Sequence, residues 1–165
     1  MSPVEILFYV IVGIVVLDYL VDLILGILNA RYRIKTLPQE LQGIYDEERY
    51  KKAQEYEAEN HRFSVITSSF NVILIVTFLS LDGFAFADEL AGQLTSNSLF
   101  VPLVFFGILF LALDLINLPF SLYDTFVIEE KYDFNKTTPK LFITDKLKGW
   151  LITAILGGGI LLLIV

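Results

Sequence analysis

All twelve Lys and Arg residues of this chain fall in two stretches, 31–62 and 131–148, with an apolar-rich block between them. A chain that threads a bilayer biases its cytoplasmic loops toward Lys and Arg, so this clustering puts both stretches on the cytoplasmic side and the N-terminus outside or lumenal. Four apolar segments fit that topology, at about 6–28, 63–81, 99–118 and 149–165. Each is near the ~20 residues needed to cross a hydrocarbon core about 30 Å thick. The last is the shortest and ends in an unbroken apolar run, Ile160 to Val165, with no polar flank, so the natural chain is expected to continue.

A hydrophobic share of 55% and a mean hydropathy of +0.65 over 165 residues place the chain in the membrane class. Lipid offers no partner for exposed backbone groups, and nothing here alternates as barrel strands do. The expected fold is therefore all-α: an integral membrane helix bundle of four transmembrane helices with a helical cytoplasmic loop.

The net charge of −7 says little about partners, because both loops are near neutral. Seven cations meet seven acids between Arg31 and Arg62, and five meet five between Tyr123 and Lys148. The excess acid comes from Glu5, Asp18, Asp22, Asp82, Asp88, Glu89 and Asp114. No net basic patch exists to release counterions from a phosphate backbone, so no nucleic-acid partner is expected. Cysteine is absent, which excludes disulfides and thiolate chemistry. The first apolar run has no basic region before it and is longer than a signal-peptide core, which favours a retained helix over a signal anchor.

Along the chain, Leu37 to Asn60 reads as a cytoplasmic helix opened by Pro38, with Glu40 complementing its dipole. The connection 82–98 has three acids and no cation and reads as an external loop. Pro102 sits early in the third apolar helix and Pro119 is expected to close it. Lys146, Lys148 and Trp150 mark the entry of the fourth, since cations and indoles favour the interface. Gly157, Gly158 and Gly159 suit close helix packing or a kink.

Polar residues within the apolar segments are the candidate site. Asp18 and Asp22 lie one turn apart on one face, and an ionised Asp at the bilayer centre costs about 2.5–3.5 kcal/mol on insertion scales, so neither should face lipid. Asp22, Ser68, Ser69, Asn71, Asp114 and Asn117 fall at broadly similar depth. The layer fits a water-containing cavity open to the cytoplasm, and equally interhelical hydrogen bonding worth about 0.6–2 kcal/mol per pair. A proton pathway through Asp18 is a third reading. Enzyme signatures are missing: His61 is the one histidine, and His-Glu-x-x-His, Gly-x-Ser-x-Gly and Gly-x-x-x-x-Gly-Lys do not occur. No catalytic residue or metal ligand is assigned.

Two runs carry a resemblance. Leu37-Pro38-Gln39-Glu40-Leu41 followed by Tyr45 to Lys52 and Tyr56 resembles the loop after the first membrane helix of the type 1 CAAX prenyl proteases. The run Leu118 to Lys136, with Thr138, Phe142, Asp145 and Lys148, resembles the signature loop between the third and fourth helices of that family, with Asp133 where such members carry Gly. The resemblance covers essentially the whole chain, as the family's N-terminal transmembrane domain, residues 1–165.

It implies a membrane zinc metalloendopeptidase whose helices enclose a water-filled chamber. Its zinc motif would belong to a later catalytic domain of the same longer chain, so no cofactor is expected in this segment. Asp18, Asp22, Ser68, Asn71, Asp114 and Asn117 become chamber-lining candidates, and Glu129, Glu130, Lys131, Phe134 and Asn135 candidates at the junction with the catalytic domain. The implied partners are the lipid bilayer, that catalytic domain, and prenylated or otherwise membrane-associated protein substrates. The rival reading is a stand-alone membrane scaffold or lipid-binding protein without hydrolase activity.

Overall fold

A computed structural model describes residues 1–32 and 46–164. They form five α-helices and one π-helical turn: α1 Pro3–Arg31, α2 Glu47–Ser80, α3 Gly83–Leu94, α4 Val101–Tyr123, the π turn Asp124–Glu129, and α5 Pro139–Ile164. Among the described residues there is no strand.

Helix α1 starts with two of its free amides satisfied. The Ser2 hydroxyl accepts from the Glu5 amide at 3.2 Å, the Glu5 carboxylate accepts from the Ser2 amide at 2.9 Å, and Pro3 occupies the first turn. Its 29 residues reach ~44 Å, more than a hydrocarbon core about 30 Å thick, so its ends project.

Four helices are long and apolar enough to cross a membrane: α1, α2, α4 with its π extension, and α5. No residue of α1, α2 or α4 is buried by the protein. Apolar spans of this length that the protein leaves largely uncovered need a solvent other than water, and a bilayer is that solvent. The chain is a multi-pass integral membrane protein.

The boundaries differ from the sequence reading in four places. The charged segment and the second membrane span are one continuous helix, α2, because 47–80 holds no Gly or Pro to interrupt it. The earlier part of the expected cytoplasmic helix, with Pro38 and Glu40, lies outside the described residues.

The connection 82–98 is not a plain loop, since α3 fills most of it. Pro119 does not close α4, which runs through it to Tyr123. Proline removes one backbone donor, and the helix continues past that single lost bond. Finally, α5 begins at Pro139, ten residues before Gly149, where Thr138 caps it by accepting from the Leu141 amide at 3.2 Å.

The chain divides into two compact units: the described residues of 1–80 with 123–135, and those of 81–122 with 136–165. In the first, α1 and α2 pack together. The Tyr19 hydroxyl meets the Ser69 hydroxyl at 2.7 Å. Nearby, Gly26 leaves the space that the His61 ring fills: a Cβ there would lie 2.5 Å from His61 Cε1. In the second unit α4 and α5 are tied by one polar cluster and flank an apolar groove of about 740 Å³, where Gly158 stands opposite Leu103.

Candidate functional site

Each unit holds one cluster of polar side chains. In the first, the projecting half of α2 meets the π turn and the bend after it. A π turn closes i→i+5 bonds, bulges the helix, and is often found where function demands a shifted side chain. Here it points Ile128 inward, fully buried, and Tyr132 four residues on is 7% exposed.

The Tyr132 hydroxyl donates to Glu59 Oε2 at 2.7 Å, and Lys131 Nζ donates to the same oxygen at 2.6 Å. Tyr56 packs edge-on against Tyr132 and Phe134, with ring centroids 5.6 and 4.8 Å apart, and the Asn60 amide donates to its hydroxyl. Lys52 pairs with Asp133. The Asn135 amide donates to Glu130 at 2.9 Å. Two acceptors, Gln54 Oε1 and Asp124 Oδ1, are buried without a hydrogen-bond partner.

The bend is a Schellman ending. The Phe134 amide reaches back to the Glu129 carbonyl at 2.9 Å and the Asp133 amide to the Glu130 carbonyl at 3.1 Å. That motif requires a left-handed residue, and Asp133 supplies it at φ 59°. Asp reaches this region more easily than most residues, so the turn forms without glycine.

Glu59, Lys131 and Tyr132 lie outside the apolar spans, and each titration follows from their contacts. The hydrogen bond from Lys131, and then that from Tyr132, hold the Glu59 carboxyl below the usual Glu range. The same contact with Glu59 raises Lys131, and raises Tyr132 too, with burial adding to the latter.

The second cluster joins α4 to α5. Asp114 of α4 accepts from Lys146 Nζ and from the Trp150 indole, the latter at 2.9 Å. Lys146 and Asp114 side chains are about three-quarters buried. A polar pocket of about 450 Å³ opens beside them, lined in part by Thr137, Phe142 and Asp145. Sequence reasoning put Asp114 in a polar layer and the two α5 residues at a membrane entry, without joining them, because the register between two helices is not written in either one.

The other candidates are scattered. Asp18 and Asp22 are exposed on α1, Ser68 is exposed and bonds back to the Val65 carbonyl, Asn71 is half-buried, and Asn117 donates to the Leu113 carbonyl. Of the junction candidates, Glu130, Lys131 and Phe134 are exposed and Glu129 and Asn135 half-buried. Sequence reading missed Glu59 and Tyr132 as a pair. The available signal was an aromatic residue inside a charged run.

Among the described residues no three His, Cys, Asp or Glu side chains are placed to hold a metal ion, so these residues do not fit a zinc site.

A polytopic helical membrane protein with an ordered bend after its third span is the class that fold and clusters define. Residues 27–165 match the family model described as "CAAX prenyl protease N-terminal, five membrane helices", and the chain belongs to that family. It is 36% identical over 153 residues to the probable CAAX prenyl protease 1 of Schizosaccharomyces pombe, covering 84% of this chain and 32% of that one. It is 31% identical over 150 residues to the CAAX prenyl protease 1 homolog of Oryza sativa subsp. japonica, covering 86% and 35%. Its fold is similar to the crystal structure of S. mikatae Ste24p, with TM-score 0.83 and 28% identity over 99% of this chain and 39% of that chain.

The chain thus spans about a third of the length of these relatives. The family description counts five membrane helices, and four helices among the described residues are long and apolar enough to cross.

Proposed function

We propose that residues 1–165 act as the membrane-embedded N-terminal domain of a CAAX prenyl protease-like zinc metalloendopeptidase, forming part of the wall of an intramembrane chamber. Zinc and the hydrolytic groups belong to a catalytic domain of the same longer chain. The substrates are prenylated or otherwise membrane-associated proteins, whose greasy tails and polar backbones need a space that is both wet and within the bilayer. The N-terminus is outside or lumenal, and residues 31–62 and 119–148 are cytoplasmic.

The bend after the π turn is the observation that carries this reading. Buried contacts to Ile128 and Tyr132 fix its backbone, while Glu130, Lys131 and Phe134 stay exposed at its surface. A bend held in this way, with charged and aromatic side chains at its surface, is suited to docking another domain. Glu129 and Asn135 support the bend from within. The polar residues Asp18, Asp22, Ser68, Asn71, Asp114 and Asn117 face the chamber in this reading, which gives the exposed carboxylates of α1 a reason to be in the membrane.

Cysteines replacing Asp18, Asp22 and Asn117 in the full chain test the wall. With the protein in sealed vesicles, a membrane-impermeant thiol reagent added from the cytoplasmic side is expected to label all three. Protection of all three in the folded protein would show dry or lipid-facing helices instead.

A further inference from the structure

Helix α3 sits on the chain segment that joins two membrane-spanning helices. It begins two residues after α2 ends and is followed by six residues, 95–100, before α4. That second link is short and folded: the Asn97 side chain accepts from the Leu99 amide and the Asn97 carbonyl from the Phe100 amide. Two links this brief hold α3 within a few residues' reach of the membrane surface, since an extended chain spans only ~3.5 Å per residue.

The helix has three distinct sides. Gly83, Ala87 and Ala91, each four apart, form one buried stripe. At about 100° per residue, Phe84 and Asp88 lie to one side of that stripe and Phe86, Glu89 and Gln93 to the other, where the Gln93 amide donates to the Glu89 carboxylate at 3.3 Å, while Ala85 and Gly92 lie opposite. Phe86 is 67% exposed, as are Leu94 at its end and Leu81 just before it to a similar degree. Water does not explain a bare phenylalanine between a packed stripe and an acidic residue. A bilayer boundary does, because it offers hydrocarbon to a ring and headgroup water to the carboxylates of the same short helix.

We propose that α3 lies in the plane of the membrane surface, with Phe86 sunk among lipid chains, Asp88 on the far side in water, and Glu89 at the headgroup level between them. The partner is zwitterionic lipid. Residues 81–100 carry three acids, Asp82, Asp88 and Glu89, and no cation, so an anionic surface would repel the segment.

Spin labels on single cysteines test this, and the chain has no cysteine of its own. Labels at Phe86→Cys, Gln93→Cys and Asp88→Cys are placed in the full chain, reconstituted in phosphatidylcholine vesicles. Accessibility to oxygen is compared with accessibility to a water-soluble nickel complex. Gln93 is two turns beyond Phe86 on the same side, so it stands in if the Phe86 variant fails to fold.

The oxygen-to-nickel ratio is expected to be several-fold higher at 86 and 93 than at 88, and not to rise when part of the lipid is replaced by phosphatidylserine. Equal, water-like ratios at all three positions would overturn the proposal. A label at 86 closed to both reagents would also overturn it, because protein rather than lipid would then cover that side. A rise with phosphatidylserine would overturn the choice of lipid.

Discussion

Glu59 is the group on which the bend at 130–135 depends most, and its contribution can be isolated. Tyr132 is 7% exposed and its hydroxyl donates a hydrogen bond to Glu59 at 2.7 Å. A hydrogen bond to a charged group contributes about 1.5–3 kcal/mol. The Glu59 side chain is 31% exposed, so water competes and the lower end applies, about 1.5 kcal/mol. Lys131 is well exposed, and its arm of the cluster is screened.

Three variants measure the pair: Glu59→Ala, Tyr132→Phe, and both together, with unfolding followed in detergent micelles by denaturant titration. The double variant is expected to lose less than the sum of the singles by about 1.5 kcal/mol, roughly a tenfold difference in the unfolding equilibrium. Additivity within ~0.3 kcal/mol would show that the two do not interact and that the bend is held by aromatic packing alone.

The cluster also sets a pH window. Glu59 is depressed, so its contribution is present above the ordinary Glu range and fades as pH falls through its folded value. Lys131 and Tyr132 are raised, so theirs is present below their ordinary values near 10 and is lost as pH rises through the folded ones. Glu59→Ala should flatten the stability profile at both ends. An unchanged acid limb would remove Glu59 from the account.

Gly26→Val is expected to destabilise by about 1–3 kcal/mol through overpacking against His61, with most of the loss recovered in Gly26→Val/His61→Ala; no recovery in thermal unfolding would mean that the two helices do not meet there. Asp133→Val should cost ~1–2 kcal/mol for a left-handed branched residue, whereas Asp133→Gly should match the natural chain or exceed it slightly, since only an exposed pair with Lys52 is lost; equal unfolding midpoints for the Val and Gly variants would contradict the Schellman bend. Lys146→Met strands the Asp114 carboxylate at membrane depth and should cost about 2.5–3.5 kcal/mol, while Asp114→Leu/Lys146→Met should restore most of it; an equally unstable double variant in detergent unfolding would show that the cost lies in packing.

Several features were legible in the chain alone. The four apolar spans, the all-helical class and the family likeness follow from composition and from one long ordered run of residue types. Asp133 was readable as a left-handed position, because the resemblance sets it where glycine is usual. Helix ends were harder to read. Pro119 looked like a stop because proline usually ends a helix, yet α4 absorbs the one lost donor and continues to Tyr123. Gly149 looked like an entry because hydropathy changes there, yet the cap that starts α5 is Thr138. Hydropathy locates a solvent boundary, and a helix boundary is set by backbone bonds.

What the sequence determined by itself is the environment: where hydrocarbon must surround the chain, where charge must leave it, and which family's N-terminal domain this is. These are sums over residues, and no contact is needed to evaluate them. The tertiary structure decided the partners. That Glu59 meets residues more than seventy positions away, that Asp114 meets Lys146 and Trp150, and that α3 keeps small residues inward and leaves Phe86 bare, depend on helix rotation and register. A helix that is apolar on every side carries no stripe to announce which face will touch its neighbour, so only packing could settle them.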